Sequence, residues 1–243
     1  MINFQINFAN LNIEVTCNYG FTMKFCEDYL SEGEADFSVL VTERDIDEEI
    51  SVSEFNPSRG YAESICVYRE IAKKLPFFDK VVFHGAVISY GGRGYLFTAP
   101  SGTGKTTHIS LWQKYLDGVD IVNGDKPILS LENGYVTAYA TPYAGKEGYQ
   151  NHGEIMLSGI CIIHRGEENR IRRVEAGEVV TELLHQIYLP REAETVGKTL
   201  DFLDTLLKCV PVYILECDMS EEAVKTSFEA MTGERYEVKG NEN

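Results

Sequence analysis

The segment Ala99-Pro100-Ser101-Gly102-Thr103-Gly104-Lys105-Thr106 constrains this chain more than any other, because it stands between a strand signal and a helix signal. Before it, Tyr95 to Ala99 is a short apolar run; after it, Thr106 to Leu116 has helical character and closes at Asp117-Gly118. A strand that passes through closely spaced glycines into a helix turns backbone N–H groups inward at the positive end of the helix dipole. The pattern is that of a phosphate-binding P-loop, with alanine in place of the leading glycine. Pro100, Ser101, Gly102, Thr103, Gly104 and Thr107 are expected to wrap the phosphates. Lys105 reaches toward the β- and γ-phosphates, and the Thr106 hydroxyl is placed to ligate Mg²⁺. The expected ligands are ATP, or another nucleoside triphosphate, and Mg²⁺.

Phosphoryl transfer also needs an acid to hold the metal and, for an alcohol acceptor, a base. Asp125, in Val122-Asn123-Gly124-Asp125-Lys126-Pro127, lies one helix and one strand beyond the loop and is the candidate for metal and base. Asp in Asn-Gly-Asp is also ordinary turn chemistry. Upstream, His84-Gly85 starts the strand pair that feeds the loop; His84 is a candidate acid, base or charge partner, or a packing residue. His108, His152, His164 and His185 read as structural. Thr141-Pro142-Tyr143-Ala144-Gly145-Lys146-Glu147-Gly148 is a loop between strands, and its Lys146 is a candidate contact to the transferring phosphoryl group. Arg165, Arg170, Arg172 and Arg173 cluster after a strand and read as solvated.

Around these residues the hydrophobic period sets the architecture. Phe4, Ile6 and Phe8, then Phe37, Val39 and Val41, alternate with polar residues, so the first 55 residues read as β-rich and end in an acidic run, Glu43 to Glu49, taken as a solvated loop or edge. Tyr61, Ile65, Tyr68, Ile71, Ala72 and Leu75 fall at helical spacing before Pro76. Strands are predicted at Val81 to Tyr90, Val119 to Val122, Ile128 to Leu131, Tyr135 to Ala140, Ile155 to His164 and Val212 to Leu215. Two stripes, Val179 to Ile187 and Val196 to Leu207, and a segment capped by Ser220 and ending at Gly233 read as helices.

Thirty-eight acidic against 22 basic residues give a formal charge of −16, which argues against nucleic acid and anionic membrane as partners, since both need a basic patch. Six cysteines without a CxxC pair read as reduced, buried thiols. The start of the chain lacks a signal-peptide pattern and no run approaches about 18 apolar residues, so the expected compartment is the cytoplasm.

His84-Gly85, Ser101 to Thr106 and Asp125 together resemble the HPr kinase/phosphorylase catalytic domain and, more distantly, ATP-dependent phosphoenolpyruvate carboxykinase. Asn-Gly-Asp-Lys-Pro and Thr-Pro-Tyr-Ala-Gly-Lys-Glu-Gly are similar to segments of short bacterial HPr-kinase-like proteins, over nearly the whole chain; the likeness to true HPr kinases covers only about residues 80 to 130. The resemblance implies a mixed α/β fold, a P-loop on mixed β-sheets flanked by helices. In a departure from that family, the first 55 residues read as a small β-rich segment, 1–55, packed on a kinase-like domain, 56–243, and not as the separate N-terminal domain of full HPr kinases. The resemblance implies that Lys105 and Thr106 bind phosphate and Mg²⁺, that Asp125 matches the second of paired aspartates, and that His84 matches a histidine near the reacting phosphate. Gly124 stands where HPr kinase has its first aspartate, so Asp125 does both jobs or His84 acts as base. Ring-like assembly among HPr kinases leaves a homo-oligomer open.

Three readings follow. One is a Mg-ATP-dependent kinase acting on a hydroxyl, either serine of a small protein or peptide or a small molecule. The others are a nucleotide-binding regulatory module that has lost catalysis, and phosphorylase or carboxykinase-type chemistry.

Overall fold

The computed structural model describes residues 1–100 and 102–237; Ser101, expected among the phosphate contacts, lies outside them. The chain opens with β1 (Ile2–Phe8) and β2 (Leu11–Cys17), an antiparallel hairpin turned at Ala9 and Asn10, both with positive φ. Then come α1 (Gly20–Phe25), β3 (Phe37–Leu40), which runs parallel to β2, α2 (Glu43–Val52) and α3 (Arg59–Lys74). Ile6, Ile13, Val15, Val39, Ile46, Val67, Ile71 and Leu75 share one apolar cluster, so α2 and α3 cover the three-stranded sheet.

Here the structure corrects the sequence reading twice. The acidic run Glu43 to Glu49 is no loop: it is most of α2, whose Thr42 makes a capping box with Asp45. Acids in a first helical turn complement the dipole, and Ile46 anchors the helix in the core. The first 55 residues therefore hold two helices as well as three strands.

The rest of the chain builds a nine-stranded mixed sheet. In order come β4 (Lys80–Val82), β5 (Ala86–Tyr90), β6 (Arg93–Thr98), α4 (Lys105–Tyr115), β7 (Asp120–Asn123), β8 (Ile128–Glu132), β9 (Tyr135–Tyr139), β10 (Glu154–Arg165), β11 (Arg170–Val174), α5 (Ala176–Leu184), α6 (Ala193–Cys209), β12 (Val212–Cys217) and α7 (Glu221–Thr232). β10 is the spine, parallel to β6 and β12 and antiparallel to β9. Its residues alternate between two cores: Ile160 and Ile162 pack with α5 and α6, Cys161 and Ile163 with α4 and α7. Leu96 of β6 joins the first core, Tyr95 and Phe97 the second. Helices thus flank both faces of a mixed sheet.

Two further expectations change. The run Val81 to Tyr90 is two strands, β4 pairing with β8 and β5 with β6, broken at Phe83 to Gly85 so that His84 sits in the break. The arginines after β10 lie partly in β11, which their exposed, charged side chains hid from a hydrophobic period. Among the described residues no helix is long and apolar enough to cross a membrane.

Candidate functional site

β6 ends at Thr98, and α4 begins at Lys105 with no side chain capping its first turn. Gly104, its N-cap residue, has φ 121°, and Gly102 has φ 76°; both are angles that L side chains rarely adopt. A Cβ built at either position meets nothing within 4 Å, so the two glycines answer a conformational demand and leave their side of the loop open. The first N–H groups of α4 are left without an intrahelical partner, beside a cleft of about 510 Å³. Arg165 at the end of β10 donates to the carbonyls of Gly102 (2.6 Å) and Thr103 (3.0 Å), which ties down the loop's outer side. Arg165 is therefore not one more solvated cation of the cluster, whereas its neighbours Arg170 and Arg172 go to surface acids, Glu168 and Glu178.

Three cations or donors from three places in the chain converge on Asp125. Lys105 Nζ stands 3.2 Å and His84 Nε2 3.3 Å from the same oxygen, Oδ1, while Lys126 Nζ pairs with Oδ2. Burial raises the Asp125 pKa, but the contact with His84 and the charges of Lys126 and Lys105 outweigh it and hold the carboxyl well below the usual carboxylate range. Lys105 is only 8% exposed, and burial pulls its ammonium below its ordinary value against the opposing pull of Asp125.

The position of Asp125 is fixed by backbone. Asn123, fully buried at the end of β7, accepts from the N–H groups of Asp125 (3.0 Å) and Lys126 (2.8 Å) and donates to Thr141 O (3.0 Å). The Asn-Gly-Asp turn is therefore ordinary turn chemistry and an Asp-presenting device at once. Gly124 is sealed: a Cβ there would lie 2.7 Å from Ala144 O, so the position that would carry a second acid has no room for any side chain. His84 is held by its own backbone, its N–H donating to Gln186 O (2.6 Å) and its carbonyl accepting from the Thr98 hydroxyl (2.9 Å). Its Nδ1 lies 3.0 Å from the Gln186 side chain, a residue that had no motif to single it out.

The cleft is lined by Pro100, Gly102, Gly104, Thr106 and Thr107 together with Asp125, His84 and the loop residues Gly145, Lys146 and Glu147. Thr103 lines a neighbouring hollow, with Arg165 and Asp218. Of the other histidines, His108 is buried against Trp112 and Ser227 and burial lowers it to about 4, so it stays neutral, and His164 pairs with Glu182. Among the described residues no group of three or more His, Cys, Asp or Glu gathers to hold a metal.

No protein-family model matches this chain, and no curated protein matches it by sequence. Among solved structures it is similar to the Hpr(Ser) kinase/phosphatase from Coxiella burnetii, with 11% identity and a TM-score of 0.36, over 63% of this chain and 93% of that one. A likeness of that size carries no argument about chemistry.

Proposed function

We propose that this chain is a Mg-ATP-dependent kinase that transfers the γ-phosphoryl group to a hydroxyl, with the glycine-rich loop acting as a P-loop. The observation that carries the reading is the meeting of Lys105 and His84 on one oxygen of Asp125, at the edge of the cleft beneath the uncapped start of α4. An open helix N-terminus with a desolvated lysine suits phosphate oxygens. Mg²⁺ fits the donors present: it takes one or two carboxylates together with substrate phosphates, and the Thr106 hydroxyl and Asp125 carboxylate line the same cleft. Bound there, it would neutralise charge on the transferring phosphate.

The protein's own part follows from the contacts. Asp125 Oδ1 is shared by Lys105 and His84. Phosphate oxygens are the stronger claim on Lys105, so substrate binding would draw that ammonium away and release Oδ1. The acceptor hydroxyl oxygen then bonds to the γ-phosphorus, the bond from that phosphorus to the β,γ-bridging oxygen breaks, ADP leaves, and the hydroxyl proton passes to Asp125. His84, with Nε2 3.3 Å from the carboxylate, is the orienting partner and Asp125 the base. Lys146, in the lining of the same cleft, would meet charge on the transferring group.

Label transfer from γ-³²P-ATP to an added acceptor tests this. The proposal expects transfer in the wild type and none in Asp125→Asn, with ATP still bound by the variant. A nucleotide-binding module without catalysis is favoured by one observation, the closed space at Gly124 that leaves a single carboxylate. It expects bound ATP and no transfer in either protein.

A further inference from the structure

Behind the phosphate cleft lies a second cavity, of about 600 Å³, that shares His84, Asp125, Gly145 and Lys146 with it. The two spaces therefore meet at the groups that would handle the acceptor proton. We propose that this cavity is the acceptor site, and that it takes a small hydroxy acid: a molecule with a hydroxyl, a carboxylate and an apolar body. The assignment rests on the kinase reading and specifies its substrate.

Size is the first argument. A volume of this order lies within the range of small-molecule sites, roughly 300–1,000 Å³. Chemistry is the second. Tyr61, Ile65, Tyr68 and Ala72, on one face of α3, form an apolar wall with Phe25 and Ile187. Ile65 belongs to none of the three apolar clusters, although its helical spacing marks it as a core residue. Tyr68 and Tyr143 stack at 3.9 Å between ring centroids, 8° from parallel. Both hydroxyls are spent on backbone, Tyr68 donating to Lys126 O (2.8 Å) and Tyr143 to Ser64 O (2.7 Å), so the pair offers rings and not hydroxyls to a ligand.

Charge is the third argument. Arg69, Lys126 and Lys146 line the cavity and Asp125 is its one carboxylate among the described lining residues, inside a chain of formal charge −16. One terminal nitrogen of Arg69 pairs with Glu49, which is outside the lining, and a guanidinium has five N–H donors, so donors remain for a carboxylate. A hydroxy acid would place its carboxylate toward Arg69, its body against α3 and its hydroxyl toward Asp125. Transfer then forms a phosphate ester on that oxygen, breaks the bond from the γ-phosphorus to ADP, and leaves the proton on Asp125.

The test uses the full chain and three probes followed by calorimetry: 3-phenyllactate, its neutral amide, and the peptide N-acetyl-Gly-Ser-Gly-amide. Mg-ATP is titrated separately into each protein, and each melting temperature is recorded. Phenyllactate is expected to bind the wild type at least tenfold more tightly than the amide or the peptide. Arg69→Met should weaken it about tenfold, and Ile65→Trp, which fills the cavity, should abolish it, with ATP affinity unchanged within about twofold in both. Absence of phenyllactate binding, equal binding by the Trp variant, or preference for the peptide would overturn the assignment while leaving ATP binding to speak for the kinase reading. Phenyllactate bound without any ATP binding would sink that reading, and the acceptor role with it, but would leave the cavity a carboxylate site.

Discussion

Asp125 is the residue on which the site turns, because three donors share two oxygens. Replacing it by Asn leaves Lys105, nearly buried, without its counter-charge, at a cost of about 1–3 kcal/mol. The melting temperature of Asp125→Asn should fall accordingly at neutral pH. The pH dependence has a definite sign. A carboxyl held below its unfolded value stabilises the fold above about pH 4, and that contribution disappears as the pH falls through the depressed folded-state value. The gap in stability between wild type and Asp125→Asn, followed by denaturant unfolding, should be full at pH 6 and close in strong acid. A gap that widened on acidification would contradict the charge assignment.

At the scale of elements, the loop and its partner turn depend on backbone shape. Gly104→Ala would force a Cβ onto a left-handed residue, with a strain of about 1–3 kcal/mol, and would disturb the first turn of α4. Gly124→Ala drives a Cβ against Ala144 O and should cost about 1–3 kcal/mol by moving the turn that presents Asp125. Thermal melts measure both losses. Thr42→Ala, which removes the cap of α2, should cost about 0.5–2 kcal/mol.

These elements also show what was legible beforehand. The loop between β6 and α4, the helix of α3 and the turn at Asn123 to Asp125 could be read because period, glycine spacing and turn residues are local signals. The helix at Glu43 could not be read from its charge, since a capping box and the buried Ile46 outweigh its six charged residues, of which Glu49 alone is buried. The break at His84 could not be read either. Three residues, Phe83 to Gly85, are too few to interrupt the run of Val81 to Tyr90 by pattern, and the pairing of β4 with β8 and β5 with β6 separates the two halves. Arg165 and Gln186 reach the site through tertiary contacts 62 to 102 residues away in sequence, and no pattern announces them.

Across the whole molecule, three apolar clusters hold a small N-terminal layer and both faces of the large sheet, and the candidate site lies where they meet. Tyr68 and Tyr143 tie the N-terminal layer to the turn and loop that carry Asp125 and Lys146. A ligand that bridges these parts should therefore stabilise the whole fold. At a hundredfold excess over Kd, binding adds about 2.7 kcal/mol, which for a chain of this size raises Tm by on the order of 5–10 °C.

The central claim, that the glycine-rich loop and Lys105 bind the phosphates of a nucleoside triphosphate, is tested most directly by calorimetric titration of Mg-ATP into the wild type and into Lys105→Met. The account predicts saturable one-to-one binding by the wild type and at least a hundredfold loss in the variant, with its melting temperature showing that it remains folded. A wild-type protein that takes up no ATP at millimolar concentration, or a folded Lys105→Met variant that binds as tightly, would contradict it.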